Sequence, residues 1–262
     1  MIVHEDNGPK GILYHAVLSE SKYKLQTKDL ESIPPDSKLV MSSENLRRLE
    51  SAHVYVVVSS NSGAGLAVTA FDDLLDPLLK QFSIKASVHK TSSKTSHREF
   101  LASALFSPDH ENIIMLFGGD TIIYDLLNSL SENSHLSSSH RITICPIPCG
   151  TGNALAMSLK TTSIPIGISK ALGVSGASVF TTAQLPLMKI NIRKFPHEKV
   201  IWGAVVCSWG LHASLVADSD DPEMRRQYGA KRFAVCYLNR GKLINRLLQN
   251  VYYLLHHIFI KA

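Results

Sequence analysis

The sequence predicts an α/β fold in which an open parallel sheet flanked by helices is followed by the start of a β-rich second domain. Strand-like apolar runs and segments of helical apolar spacing alternate four times between residues 53 and 159, which is typical of a parallel sheet with helices on both faces. Glycine-rich turns follow three of the predicted strands. The 262 residues are 45% apolar and 19% charged, a globular composition that excludes disordered and fibrous classes.

The first 50 residues are predicted to form a polar preface to this sheet. Residues 11–18 alternate loosely between apolar and polar side chains and predict one strand. Residues 31–43 contain Pro34-Pro35 and predict a connector.

Residues 51–178 are predicted to form the sheet domain. Its strands are short, β-branched runs, as expected of buried parallel strands. Open α/β sheets bind ligands at the carboxyl ends of their strands, and the glycine-rich turns lie at those ends. The predicted strands are residues 53–58, 84–89, 112–117 and 141–146, and the predicted helices are residues 66–82, 96–105, 120–130 and 154–159.

Residues 179–262 are predicted to form the incomplete β-rich domain, after a boundary near residues 175–182. Residues 183–192 and 199–206 alternate like antiparallel strands around a turn at Pro196. The chain closes with a predicted helix at residues 243–260, whose apolar stripe favours core packing over a place on a membrane.

Charge and cysteine content limit the compartment and the partners. A net charge of +5 suits anionic substrates or an anionic membrane surface, but it is too weak to indicate nucleic acid. Four cysteines are too few for a disulfide scaffold, and the pair Cys145 and Cys149 favours buried small side chains over a zinc site. With neither a signal peptide nor a long apolar run, we expect a cytoplasmic protein with at most peripheral contact with intracellular membranes.

The first of three candidate loops spans residues 61–65 and reads Asn-Ser-Gly-Ala-Gly. Two glycines at a helix start let backbone N–H groups approach an anion. This first loop lacks the third glycine of a dinucleotide-binding motif and the Gly-Lys-Ser/Thr of a Walker A loop. On its residues alone, a bare tight turn explains it equally well.

The second loop, residues 118–120, places Asp120 after two glycines at the end of a buried strand. An Asp at this edge suits a general base or a residue that orients Mg²⁺ on a nucleotide. The alternative is an Asp that caps the helix that follows it. The third loop, residues 150–153, reads Gly-Thr-Gly-Asn and also stands at a helix start. Three such loops in one sheet indicate a phosphate-binding site far more specifically than one loop does.

These motifs resemble a known family. The segments NSGAG, GGD with the acid and amide of YDLLN, and PIPCGTGNALA are similar to the catalytic domain of diacylglycerol kinases, a family that includes the sphingosine (long-chain base) kinases. The segment SWGLHASLVADSDDPEMRRQYGAKRF resembles the start of the lipid-binding half of the sphingoid-base kinases. The resemblance spans about residues 50–240 and implies a fold like that of NAD kinases and diacylglycerol kinases.

The resemblance also implies roles for individual residues. Asp120 is implied as the base that takes the proton of the lipid hydroxyl, and Asp125, where the family usually has Glu, as support for Mg²⁺ or for that base. Arg226 and Arg232 are implied to steady phosphate charge. The full set that the resemblance assigns to the nucleotide is Asn61, Ser62, Gly63, Gly65, Thr91, Gly118, Gly119, Asp125, Gly150, Thr151, Gly152, Asn153, Arg226 and Arg232.

The lipid side of the site is implied at Asp218 and Asp220, where sphingoid-base kinases hold the polar head of the substrate. A carboxylate there would pair with the cationic amine of a sphingoid base, which a diacylglycerol lacks. Each of these assignments has an alternative from the residues alone. For Thr91 the alternative is an ordinary loop hydroxyl, which explains the residue equally well. For the two arginines it is a solvated surface pair, and for the two acids it is a pair of exposed loop residues.

The predicted function is a lipid kinase that uses ATP and Mg²⁺ and phosphorylates the hydroxyl of a sphingoid base or, second, of a diacylglycerol-type lipid. The alternative is a catalytically impaired or truncated remnant that acts at most as a nucleotide- or lipid-binding module. A weaker alternative is a kinase of a soluble substrate on the same kind of sheet. We expect no nucleic-acid partner, and the sequence does not indicate an oligomeric state.

Two departures from the family pattern motivate the remnant alternative. Thr121 and Ile122 replace the Gly-Thr that usually follows the Asp of the second loop, and a β-branched residue resists positive φ. The Asp-Gly-Glu segment that the family carries near the end of its lipid-binding domain does not occur in these 262 residues. We therefore expect strands without partners, in a fragment, a shortened reading frame or a degenerate copy.

Overall fold

A computed structural model gives the structure of the chain as two compact units, Met1–Val205 and Val206–Ala262. Each unit is described by itself. The residues that the structure describes are 2–4, 11–19, 22–32, 40–62, 65–93, 95–174, 182–194, 197–207 and 211–239.

A four-stranded parallel sheet forms the centre of the first unit, which confirms the predicted fold class. The strand order is β6-β5-β7-β8. The strands are β5 (His53–Val58), β6 (Ala86–Lys90), β7 (Asn112–Gly118) and β8 (Ile142–Pro148). The last strand runs two residues further than predicted, through Pro146 and Pro148. A strand with prolines can still pair here because β8 lies at the edge of the sheet.

Helices cover both faces of this sheet, as predicted. The predicted helix at residues 66–82 is α2 (Leu66–Ala70), a π-helical turn (Phe71–Leu75) and α3 (Asp76–Gln81) in direct succession. The others are α4 (Ser96–Ser103), α5 (Asp120–Glu132), α6 (Ala154–Ser158) and α7 (Ile164–Ala171). The sequence did not predict α7, which begins with Ser163 as its cap and continues with a proline in its first turn.

Alternate residues of the two central strands pack into two separate hydrophobic cores, one on each face of the sheet. Val54, Val56 and Val58 belong to the larger core, together with α2, α3 and α7. Tyr55 and Val57 belong to the smaller core, which α4 and α5 cover. Burial on both faces explains why these strands read as uninterrupted apolar runs.

The N-terminal region carries more structure than the one strand predicted for it. The predicted strand is β2, and it pairs antiparallel with β3 in a second sheet of order β3-β2-β1-β4. The elements are β1 (Ile2–His4), β2 (Gly11–Ser19), β3 (Lys22–Leu30), β4 (Val40–Met41) and α1 (Ser43–Ser51). Tyr14 of β2 is buried and meets the Phe82 ring edge-on, so this sheet packs on the larger core.

The predicted antiparallel pair is present as β9 (Met188–Lys194) and β10 (His197–Gly203). It belongs to the first unit, and the predicted turn at Pro196 lies outside the described residues. The predicted domain limits therefore stay a prediction.

The second unit is helical where it is described. It contains α8 (Leu211–Ser219), α9 (Pro222–Tyr228), a 3₁₀ turn (Gly229–Lys231) and a further helical segment at residues 232–239. The helix predicted at residues 243–260 lies outside the described residues. Where the structure describes the chain, none of its helices is both long and apolar enough to cross a membrane.

Candidate active site

The second and third loops meet at the carboxyl edge of the parallel sheet. The Cys149 N–H donates to the Gly118 carbonyl at 3.0 Å, and the Asp120 N–H donates to the Gly152 carbonyl at 3.2 Å. Strands β7 and β8 are neighbours, so their ends bring the two loops side by side. Backbone hydrogen bonds thus join two segments that the sequence places some 30 residues apart.

Two glycines allow this close approach. A methyl group at Gly119 would lie 2.6 Å from the Gly152 carbonyl oxygen, and one at Gly150 would lie 2.7 Å from the Gly119 nitrogen. Contacts this short with backbone atoms cannot be relieved by a rotamer change. Both loops therefore need glycine at these positions for lack of space, since neither residue has a positive φ.

Asp120 holds the start of α6 rather than the start of its own helix. Its carboxylate accepts hydrogen bonds from the Ala154 N–H at 2.8 Å and the Leu155 N–H at 3.1 Å. Helix α5 has Gly119 as its N-cap and no side-chain cap. The alternative predicted from sequence, a cap of the following helix, is therefore wrong about which helix Asp120 caps.

The Asp120 carboxylate keeps capacity for chemistry in this position. Each carboxylate oxygen accepts one backbone hydrogen bond and retains a further lone pair. The side chain is half-buried, beside the glycines of both loops. Asn153 holds the third loop in shape, because its side chain accepts from the Gly150 N–H at 3.0 Å and donates to the Gly150 carbonyl at 2.7 Å.

Ser60, the residue just before the first loop, is joined to Thr91 by a reciprocal pair of hydrogen bonds. The Ser60 N–H donates to the Thr91 hydroxyl at 2.9 Å, and the Ser60 hydroxyl donates to the Thr91 carbonyl at 2.9 Å. Gly65 then starts α2 with a φ of +75°, a conformation that favours glycine. Asn61 is exposed and Ser62 half-buried, while Gly63 lies outside the described residues.

The carboxylate of Asp125 on α5 accepts hydrogen bonds from two residues of α4. This buried carboxylate contacts His97 Nε2 at 2.9 Å and Arg98 Nε at 2.9 Å. Burial raises the pKa of Asp125, but the hydrogen bonds from His97 and Arg98 outweigh it and hold the pKa below its ordinary value. A contact of Asp125 with the nucleotide or with Mg²⁺ stays a prediction, because the observed partners are protein groups.

Asn128 has a connecting role that sequence reasoning missed. Its Nδ2 donates to the Trp202 carbonyl at 2.9 Å, and its Oδ1 accepts from the Trp202 N–H at 3.0 Å. The same Nδ2 donates to the Tyr124 carbonyl at 2.7 Å. One amide thus fixes strand β10 to the helix that carries Asp120. The sequence signal that pointed toward Asn128 was its spacing of eight residues from Asp120 along one predicted helix.

Thr121 fits its position without backbone strain. It lies in the first turn of α5, where its side chain is exposed. Among the described residues other than glycine, only Ser83 and Lys160 have a positive φ. The conformational conflict expected at Thr121 is therefore absent. Ile122 is buried and packs where a side chain at Gly118 would otherwise extend.

In the second unit, Asp220 is surrounded by arginines. Arg225 Nη2 lies 2.8 Å from its carboxylate and Arg232 Nη2 lies 3.8 Å from it. Sequence reasoning missed Arg225. Arg226 instead pairs with Glu223 one turn earlier on α9, with 2.9 Å between Nε and the carboxylate. The predicted roles of Arg226 and Arg232 with phosphate, and of Asp218 and Asp220 with the lipid, stay predictions.

The burial of Cys149 fits the prediction of a small buried side chain. Burial raises the pKa of Cys149 to about 12, so its thiol stays protonated and packs as a small apolar group. Across the ranges that the structure describes, no three His, Cys, Asp or Glu side chains gather into a group that could hold a metal ion.

Comparisons with known proteins agree with this sheet and its loops. The family model of the diacylglycerol kinase catalytic domain matches residues 53–183, half of the chain. The chain therefore belongs to the diacylglycerol kinase catalytic domain family, a kinase family that implies the use of ATP.

The curated relatives are kinases of sphingoid bases by name. Sphingosine kinase 1 of Rattus norvegicus is 25% identical over 184 residues, which are 70% of this chain and 46% of the relative. Sphingoid long-chain bases kinase 1 of Arabidopsis thaliana is 26% identical over 217 residues, which are 81% of this chain and 26% of the relative. The chain thus spans less than half the length of these two relatives.

A solved structure of a Bacillus anthracis protein, provisionally named a diacylglycerol kinase, gives a TM-score of 0.38 at 18% identity. The match covers 53% of this chain and 43% of that protein. At this level of similarity it adds nothing to the functional argument.

Proposed function

We propose that the chain is the nucleotide-binding part of a lipid kinase that transfers the γ-phosphate of ATP to the hydroxyl of a sphingoid base. The observation that carries the proposal is the direct contact between the second and third loops around Asp120. Backbone N–H groups and helix starts at the carboxyl edge of a parallel sheet suit the anionic phosphates of a nucleotide.

Asp120 is proposed as the general base for the lipid hydroxyl. Two backbone N–H groups fix its carboxylate in position, and the remaining lone pairs are available to accept a proton. Because phosphoryl transfer requires mainly positioning and charge stabilisation, a base held rigidly at the junction of two phosphate-binding loops suits this reaction.

The residues present fit Mg²⁺ only as an ion held jointly with the nucleotide. Magnesium is typically bound through one or two carboxylates and the substrate phosphates, and Asp120 offers one carboxylate at the two loops. The ion would neutralise charge on the transferring phosphoryl group.

The sphingoid base is preferred over diacylglycerol on two grounds. The two similar curated proteins described above are by name a sphingosine kinase and a sphingoid-base kinase. In addition, the second unit carries Asp218 and Asp220 two positions apart in sequence, and a carboxylate there complements the cationic amine of a sphingoid base.

The test is phosphoryl transfer from ATP to sphingosine and to diacylglycerol in detergent micelles, with Asp120→Asn and the matched variant Asp109→Asn. Asp109 is exposed in the loop before β7. We expect phosphorylation of sphingosine, a loss of about 10²–10⁴-fold in kcat for Asp120→Asn, and normal turnover for Asp109→Asn.

Other results would redirect the proposal. A normal rate in Asp120→Asn would leave Asp120 as a structural cap of α6 only. ATP binding without turnover on either lipid would support the alternative of a nucleotide-binding module.

A further inference from the structure

A short turn at residues 91–93, just after β6, fixes the backbone that leads into the first loop. The Thr91 N–H donates to the Val58 carbonyl at 2.9 Å, which continues the pairing of β5 with β6. With the reciprocal pair between Thr91 and Ser60, three hydrogen bonds join the turn to the residues just before the first loop. A displacement of this turn therefore displaces Ser60 as well.

The buried hydroxyl of Ser96, the first residue of α4, holds the other end of the turn. The Ser92 N–H donates to Ser96 Oγ at 3.1 Å and the Ser93 N–H donates to it at 3.4 Å. A hydroxyl has two lone pairs and one proton, so these two donors leave Ser96 only its proton to share. Of the two acceptors within its reach, His89 Nε2 at 3.2 Å is nearer than the Ser93 carbonyl at 3.4 Å.

This count of donors and acceptors determines where His89 carries its proton. Because Nε2 accepts from Ser96, the ring is neutral and is protonated on Nδ1. A proton added to Nε2 would make it a third donor to an oxygen whose lone pairs are both occupied. Stacking on Phe100 holds the ring in place, with 4.8 Å between the ring centroids and 11° between the planes. Protonation of His89 would therefore release at least one of the N–H groups that hold the turn.

The surroundings of His89 also favour its neutral form. Burial and the neighbouring His97 of α4 lower the pKa of His89 from its ordinary value, and the opposing effect of Glu99 on the same helix is smaller. The residue opposite His89 on β5 is a valine. Lys90, the next residue of β6, pairs with a carboxylate of the π-helical turn, and Lys94 lies outside the described residues.

Given the proposed function, in which the first loop contacts ATP, we propose that neutral His89, acting through Ser96, positions this loop, so that acidification weakens ATP binding. His89 is a positioning residue, because it acts through the turn at residues 91–93 and not on the nucleotide. Below the pKa of His89, the state with an ordered turn is less populated. The Kd for ATP then rises by up to roughly tenfold for each pH unit.

The test is titration calorimetry of the full chain with MgATP at about pH 7.5 and about pH 5, with circular dichroism to confirm folding at both. His89→Gln keeps an acceptor and takes up no proton, so it should retain most of the affinity at the higher pH and lose much less on acidification than the unmodified chain does. His89→Ala removes the acceptor and should bind weakly at both. Protonation of ATP itself affects every variant equally.

The matched control is His53→Gln, which changes an exposed histidine at the opposite end of β5. It should show the same dependence on pH as the unmodified chain. An equal loss of affinity on acidification in His89→Gln and in the unmodified chain would overturn the role of His89 and leave the proposed kinase activity untouched. A folded chain that binds no MgATP even at the higher pH would overturn both.

A second measurement needs neither a variant nor a nucleotide. Nitrogen chemical shifts of the His89 ring, recorded by NMR during a pH titration, report which nitrogen carries the proton. We expect the Nδ1-protonated ring near neutral pH and a pKa below the ordinary value. A ring protonated on Nε2 would overturn the positioning role, whatever the affinity for ATP.

Discussion

Gly150 packs against the backbone of Gly119, whereas Gly152, two residues later, has room for a methyl group 3.6 Å from the Asp120 carboxylate. We expect Gly150→Ala to lower the free energy of unfolding by about 1–3 kcal/mol, because the overlap is with backbone atoms. Gly152→Ala in the same loop is the matched control and should change it by less than about 0.5 kcal/mol. Urea unfolding of both variants measures the difference. Equal effects would mean that the two loops do not pack as described.

Asp125 makes the free energy of unfolding depend on pH. Since its folded pKa lies below the ordinary value, its contribution is present above the pKa of the unfolded chain, about 3.9, and is lost as the pH falls through the folded pKa. Asp125→Asn should therefore be less stable near neutral pH and should lose less stability on acidification. Urea unfolding at about pH 7 and about pH 3 measures this, with Asp109→Asn as the control. An unchanged pH dependence in Asp125→Asn would contradict the assignment.

At the scale of elements, Asn128 connects α5 to the β9–β10 hairpin through both hydrogen-bonding groups of Trp202. Asn128→Ala should cost about 1–3 kcal/mol, because two backbone groups lose their partner. Asn128→Asp keeps the acceptor for the Trp202 N–H but sets a carboxylate oxygen against the Trp202 and Tyr124 carbonyls, so it should cost at least as much. Hydrogen exchange of the amides in residues 188–203 measures local opening. Exchange in Asn128→Ala as slow as in the unmodified chain would show that the hairpin is held by other contacts.

Uniform burial made the two central strands easy to predict from the sequence. Strands β5 and β7 read as continuous apolar runs because both of their faces are covered. Strand β3 and helix α1 were missed, since β3 exposes six of its nine residues and α1 buries only Asn45 and Leu49. Helix α7 was missed because its first turn contains a proline and its middle a glycine, which packs against Ile147 and Pro148.

The sequence indicated which residues to consider for the candidate site, but it did not indicate which residues they contact. The position of Asp120 after a buried strand identified a residue at the ligand-binding edge. Its partners at Ala154 and Leu155 lie 34 and 35 residues later, and no local pattern encodes such a pairing. The same holds for Asp125, whose binding to α4 depends on how two helices pack on the smaller core.

At the scale of the whole molecule, nucleotide binding should stabilise the fold. A ligand at one hundred times its Kd adds about 2.7 kcal/mol to the free energy of unfolding. We expect MgATP to raise the melting temperature of the chain by several degrees, and we expect Gly150→Ala to reduce this shift more than Gly152→Ala does. Differential scanning fluorimetry measures it. A folded chain with no shift at millimolar MgATP would contradict a formed site.

The prolines of β8 also limit how this protein associates with copies of itself. The Cys149 N–H points toward β7, so by alternation the backbone nitrogens of Pro146 and Pro148 face outward, where no N–H is available to bond a further strand. A fifth parallel strand cannot be added beyond that half of β8, whether from this chain or from a neighbouring molecule. The strand edge that ends beside the candidate site is thereby protected from intermolecular sheet growth.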